Sequence, residues 1–411
     1  MGQSKKNIFL SIFDQGVCSL SNFITAIIAA RLLLPEEFAI YVMLFTAVVM
    51  LGGIQNSLIL TPLRILGIKP EREQAQDYIL MQLILQLVLS TAISLIAMVF
   101  LFCMELVNST TIIVFSVTVF TIQLHEFFRV FLITQLKIQS VTLLDISIHG
   151  FRVIGLLTLY WLDLKYIELV FLILLLAPVL SLLCLRFITP MPLSFKKIKE
   201  LVTENWSFGK WILIETVFFS LSTHLYLYLT AVTLSLESAA GLAACLNIIN
   251  IVNIFIMGVS SYGTTIARTK LMKSGIDAWR NYLIKISILI LIVTLFFLIM
   301  VNIFSEILLK VFFGDFYASY ASLIFILSFA YILMPINTIL AMSFRTLEKP
   351  QIGVISKVIS AVVTSICAYP LLNLLAENGA AIGMFLTQFV WALVYLYYLK
   401  KGLLNEYQKN F

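Results

Sequence analysis

Charge is what this chain has least of. Asp, Glu, Lys and Arg make up 12% of its 411 residues, while 61% are hydrophobic; soluble domains run about 25% charged and about 45–50% apolar. Such a chain cannot cover a water-facing globular surface, and a bilayer is the solvent that suits it. Cysteine is sparse as well. Cys18, Cys103, Cys184, Cys245 and Cys367 stand singly in apolar runs, with no CxxC pair and no metal-ligand spacing, so they read as small buried hydrophobes. A cleavable signal is missing too. Asp14 interrupts the first apolar run and no A-x-A-like site follows it, which predicts a retained first span. Long outer loops are also absent: "LLLPEEF", "ELVNST", "LDLKY", "LSLESAA", "FFGDFY" and "LAENG" are too short for a folded external domain. Catalysis on such a loop is thereby disfavoured, and the chain reads as a non-enzyme.

What is present is apolar sequence in blocks of spanning length. Six fall at about 8–30, 38–63, 78–104, 111–135, 141–161 and 166–187, and six more at about 211–233, 239–266, 281–309, 317–343, 351–375 and 379–399. A helix needs about 20 apolar residues to cross a bilayer, whereas barrel strands show alternating segments of about ten residues. The fold class predicted is therefore an all-α polytopic membrane protein of about twelve transmembrane helices. Of the 27 Lys and Arg, all but Arg31, Lys165, Lys310 and Arg152 fall on one side when both termini are placed in the cytoplasm. That asymmetry sets orientation, and it explains the net charge of +6 without nucleic acid, for which no motif exists.

The longest polar connection, 189–210, places Phe195, Ile198, Leu201, Val202 and Trp206 opposite Lys196, Lys197, Lys199 and Glu200. This pattern predicts an amphipathic helix on the cytoplasmic leaflet. It divides the chain into an N-terminal six-helix bundle, 1–188, and a C-terminal one, 211–411. "LLLPEEFAIYVML" from Leu32 and "LSLESAAGLAACL" from Leu234 each put an acidic turn before a small-residue helix, as a duplicated transporter would.

The exception to the apolar rule is "HEFFRVFLITQLKIQSVTLLDISIHGFR", His125 to Arg152. Its two helices form an antiparallel hairpin turning near Lys137–Ser140. Residues equidistant from the turn share a depth, so Arg129 should meet Asp145, His125 should meet His149, and Glu126 should meet Arg152. Spacings of three, four and seven residues put each set on one helix face. A charge at mid-membrane costs about 2.5–3.5 kcal/mol, so the pairs should either lock the hairpin or line a wet passage. Asp14 in span one and Glu215 in span seven are roughly matched between the halves, and could take a coupling cation or cap a neighbouring helix. Asn22, Gln55, Asn56 and Gln123 add polar lining, while Asn247, Asn250 and Asn253 form a stripe suited to a helix–helix seam. Pro178, Pro335 and Pro370 can kink their spans. "GAAIG" (Gly379–Gly383) permits close helix packing.

The segments "FDQGVCSLSNFITAIIAARLLLPEEFAIY" (13–41), "QNSLILTPL" (55–63), "HEFFRVFL" (125–132), "ESAAGLAACLNI" (237–248) and "FRTLEKPQ" (344–351), in that order, resemble the polysaccharide flippases of the multidrug/oligosaccharidyl-lipid/polysaccharide (MOP) exporter superfamily. Ala39 stands where that family often has Gly. The resemblance implies two six-helix bundles around a central cavity. It also implies transport, by alternating access, of an undecaprenyl-pyrophosphate-linked oligosaccharide, an O-antigen or other surface-polysaccharide unit, across the bacterial inner membrane. In that reading Arg152, Arg129, His149, His125 and Asn22 contact the substrate head. Glu126, Asp145, Asp14 and Glu215 pair charges or exchange H+ or Na+, and membrane lipids, a polysaccharide polymerase and chain-length proteins are partners. No cofactor or resident metal is implied. Two alternatives stand beside it: a cation-coupled multidrug exporter of the same superfamily, and an integral-membrane polysaccharide polymerase or acyltransferase.

Overall fold

A computed structural model describes residues 2–66, 75–105, 107–135, 137–180, 182, 195–349 and 351–403. Cys184, the loop carrying Lys69 and Arg72, and the first part of the connection, 189–194, lie outside the described residues. Among the described residues every regular element is a helix. They are α1 (Gly2–Leu32), α2 (Pro35–Gln55), α3 (Thr61–Leu66), α4 (Ala75–Met104), α5 (Ser109–Thr134), α6 (Ile138–Trp161) and α7 (Ile167–Val179), then α8 (Phe195–Thr233), α9 (Leu236–Ile249), α10 (Val252–Ile303), α11 (Ser305–Phe312), α12 (Asp315–Ala318), α13 (Ala321–Thr346) and α14 (Gln351–Tyr398).

Eight helices are long and apolar enough to cross a membrane, and Gly16–Leu32, Ile167–Val179 and Leu236–Ile249 are shorter apolar ones. Ala376, at φ 50°, breaks α14 into two. Its halves run back against each other, with Thr364 and Thr387 hydroxyls 2.8 Å apart. The twelve predicted spans are thus accounted for, in two bundles.

Boundaries differ from the sequence reading in two places. The connection after 194 does not end before span seven, because α8 runs unbroken through both. Span eight is interrupted: α9 ends at Ile249, and α10 starts afresh at Val252 and continues to a break at Gly275, whose φ of 78° a side chain would oppose. Among the described residues, span six is α-helical over Ile167–Val179. Apolar content fixes where chain enters oil, but a run of Leu and Ile does not say where backbone bonds break.

The chain forms two compact units, Met1–Val217 and Phe218–Phe411. In the first, α6 packs along α1, and α5 packs against α4 and α7, around Leu63, Phe127, Phe128, Val130 and Phe131. Between α2 and α3 one wide turn, Asn56–Leu60, is π-helical. At that turn α8 comes close enough that a Cβ on Gly209 would stand 2.5 Å from the Ser57 carbonyl oxygen. In the second unit α13 packs against α10 and α14. Residues Ala239–Ala244 of α9 are all buried, and Gly241 is pressed on the Tyr320 ring. The two acidic turns matched in the sequence do both start helices. Pro35 and the Leu34 N–H, which donates to Glu37, open α2; Ser235 caps α9 by accepting from the Ser238 N–H at 3.0 Å.

Candidate functional site

The charged hairpin folds around one guanidinium. Arg129 on α5 donates through Nε to Asp145 Oδ2 on α6 at 2.6 Å, and through Nη2 to Asp14 Oδ2 on α1 at 2.9 Å. Glu126 Oε2 lies 3.9 Å from Arg129 Nη1, and His125 Nε2 lies 3.6 Å from Asp145 Oδ1. Asp145 is wholly buried and Asp14 is 4% exposed. Three carboxylates therefore gather on one cation in a span, where each uncompensated charge is expensive.

Only one of the three predicted pairs forms. Arg129 meets Asp145, but Glu126 does not meet Arg152, nor His125 His149. The reason is α1, which packs along α6 and supplies the partners that α5 was expected to supply. Arg152 Nη2 donates to Ser21 Oγ at 2.7 Å and to Asn22 Oδ1 at 2.8 Å. His149 Nε2 sits 3.1 Å from Cys18 Sγ. Equal depth in a hairpin is necessary for a contact, but the third helix decides which faces turn together.

Arg152 differs from Arg129 in kind. It is 8% exposed, its Nε has no hydrogen-bond partner, and among the described residues no carboxylate lies within ion-pair distance. Neutral oxygens hold it. Among the described residues its charge thus remains uncompensated, an arrangement that favours an anion from outside the chain. Asp14, Cys18 and Asp145 offer ligand atoms within 4.8 Å of one another, and the Arg129 guanidinium bridging the two acids already brings positive charge there.

Glu215 is half-buried on α8. Of the asparagine stripe, Asn250 Oδ1 accepts from the Tyr331 hydroxyl at 2.5 Å and from Asn253 Nδ2 at 2.8 Å; Asn247 bonds back to the Ala243 carbonyl. It is a helix-junction seam at the break between α9 and α10. Sequence reasoning missed the stripe on α4. Gln82, Gln86 and Ser90, four residues apart, are fully buried. Gln86 accepts from Gln55 at 3.0 Å and donates to Ser90 at 2.6 Å, and Gln82 exchanges two 3.1 Å bonds with Asn205. The four-residue repeat was legible; its partners were not.

No family model matches the chain, and no curated protein matches it. Solved structures do. One described as the inward-facing conformation of a multidrug resistance MATE family transporter of the MOP superfamily is 14% identical, with TM-score 0.80 over 95% of this chain and 96% of that one. Its outward-facing counterpart is 17% identical at TM-score 0.67, over 98% and 95%. A third is a Pyrococcus furiosus MOP superfamily transporter whose description reports a binding pocket of reverse polarity suggesting a different function; it is 16% identical at TM-score 0.67, over 96% and 94%. Fold and spans define a multi-pass membrane protein. Its fold is that of the MOP-superfamily transporters.

Proposed function

We propose that this protein is a cation-coupled flippase for an anionic, lipid-linked oligosaccharide, most simply an undecaprenyl-pyrophosphate-linked surface-polysaccharide unit at a bacterial inner membrane. The observation that carries the sign of the substrate is Arg152: a buried guanidinium held by Ser21 and Asn22, with no acid among the described residues to neutralise it. A pyrophosphate oxygen would complete its donor set by forked hydrogen bonds. The acid-rich cluster around Arg129 supplies the coupling group. Asp14, Asp145 and Glu126 outnumber the one cation they share, and a proton or monovalent cation offsets the excess. A coupling ion changes the conformational balance only through unequal affinity for the two states.

Multidrug export is the second reading, favoured by the two MATE-family structures that share the fold. At their level of identity they speak for architecture. The reverse-polarity description of the third supports a superfamily fold compatible with either sign of substrate.

Arg152→Gln separates the two. Under the flippase reading it abolishes surface glycan and leaves lipid-linked units on the cytoplasmic leaflet, while Arg152→Lys retains part of the export and the variant still reaches the membrane. If Arg152→Gln cells carry normal glycan and instead lose resistance to cationic drugs, the exporter reading replaces it.

A further inference from the structure

We propose that Asp14, Cys18, Asp145 and His149, on the facing sides of α1 and α6, form a binding site for a thiophilic divalent metal ion of the zinc class. The site includes two acids of the cluster read above as the coupling group. Its consequence for transport rests on that reading, and its ligand chemistry does not.

The four residues come from two helices in step. Asp14 and Cys18 are four residues apart on α1, and Asp145 and His149 four apart on α6, so each pair shares a helix face. α6 packs along α1. His149 Nε2 stands 3.1 Å from Cys18 Sγ, and ligand atoms of Asp14, Cys18 and Asp145 lie within 4.8 Å of one another. In a tetrahedral zinc site, with bonds of about 2.3 Å to sulfur and about 2.0 Å to nitrogen or oxygen, neighbouring ligand atoms stand about 3.3–3.6 Å apart. Small side-chain rotations close the difference.

Two features point to a cation beyond plain packing. Asp14 and Asp145 are both buried, and each spends Oδ2 on Arg129, yet each leaves Oδ1 without a hydrogen-bond partner. His125 Nε2, 3.6 Å from Asp145 Oδ1, is beyond hydrogen-bond reach. Buried carboxylate oxygens rarely go unpaired. Charge counting agrees. Two carboxylates and a thiolate carry three negative charges, Arg129 offsets one, and a divalent ion offsets the other two. The cluster is also open on one side: Cys18 and His149 are half-buried, and the Glu126 side chain beside Arg129 is 39% exposed. That leaves a small ion a way in.

The ligands select the metal. A thiolate and an imidazole favour zinc or cadmium over magnesium and calcium, which take oxygen shells. On binding, the Cys18 proton leaves to solvent and a metal–sulfur bond replaces the S–H bond. An ion held there denies the two acids to a proton or monovalent cation, and so inhibits a coupled transporter.

The test is titration of the full chain in lipid nanodiscs, with Zn2+ against a chromophoric chelator and with Cd2+ followed by sulfur-to-cadmium charge-transfer absorption. One ion per chain is expected, with that absorption, and a large excess of Mg2+ should not displace it. Cys18→Ser should abolish the absorption and weaken Zn2+ binding at least about a hundredfold, since even partners outside the ligand shell account for about 10–100-fold. Asp14→Asn should weaken it about tenfold or more. Zn2+ should raise the unfolding temperature of the wild type and not of Cys18→Ser, and size-exclusion verifies that both variants fold. Absence of the absorption, an affinity unchanged in Cys18→Ser, or displacement by Mg2+ overturns the site. These measurements need no substrate, so they stand apart from the flippase reading. That reading is tested separately, by translocation of a lipid-linked oligosaccharide in proteoliposomes. The Zn2+ concentration that halves it should rise in Cys18→Ser. Zn2+ that binds as expected yet leaves translocation untouched keeps the site and overturns the coupling role of the acids.

Discussion

Arg129 Nε lies 2.6 Å from Asp145 Oδ2, and the same guanidinium reaches Asp14 Oδ2 at 2.9 Å: one side chain ties α5 to α6 and to α1. Removing one partner of a buried pair costs about 3–5 kcal/mol, because the other is left charged and alone. Arg129→Gln and Asp145→Asn should each lower the thermal unfolding temperature in detergent. The double variant should recover part of that loss, since coupled sites are not additive. A double variant as unstable as the sum of the singles would show the residues to be energetically independent.

Asn22 accepts from Arg152 at 2.8 Å, so Asn22→Asp places a carboxylate where a neutral amide now sits. The new charge-assisted bond should hold or raise stability by about 1–2 kcal/mol, while the neutralised guanidinium loses its pull on an anion. Glycan export should fall although the protein is no less stable. Full export in Asn22→Asp would mean that the bare charge of Arg152 is not what the substrate uses.

A Cβ at Gly383 would collide with the Tyr226 ring, and both residues lie in the C-terminal unit. Gly383→Ala should destabilise by about 1–3 kcal/mol through overpacking. Tyr226→Leu in the same chain should relieve much of it, whereas Tyr226→Leu alone should destabilise. Unfolding midpoints of the three variants decide the matter.

Gly209→Ala is predicted to be worse tolerated than an ordinary helix Gly→Ala exchange, which in itself favours the helix by about 0.8–1.0 kcal/mol. The added methyl meets the Ser57 backbone carbonyl, which cannot swing away as a side chain can. Reduced yield of folded protein, with a fall in midpoint, is the expected result. A stabilised variant would place α8 further from the π-helical turn than described.

How much of the site could be read from sequence varies residue by residue. The Arg129–Asp145 contact was legible because a tight turn makes the hairpin register a matter of counting. Asp14 was visible as a polar intruder in span one, but its tie to Arg129, 115 residues away, was not. Ser21 and Cys18 gave no signal at all, since a serine or cysteine in a span is unremarkable until a helix brings Arg152 or His149 against it. On α4 the glutamine repeat was there to be counted.

Composition alone dictated that the chain lives in a membrane as a set of helices, because backbone groups in oil must bond within their own segment, and the spacing of apolar blocks gave their number. The partner of each buried charge came from elsewhere. That choice depends on helix rotation and on which third helix fills the groove, here α1 against α6, and such contacts between distant segments leave no periodicity in the sequence. The same folding set Cys18 of α1 against His149 of α6, 131 residues away, so only the tertiary structure could give a lone thiol an imidazole neighbour.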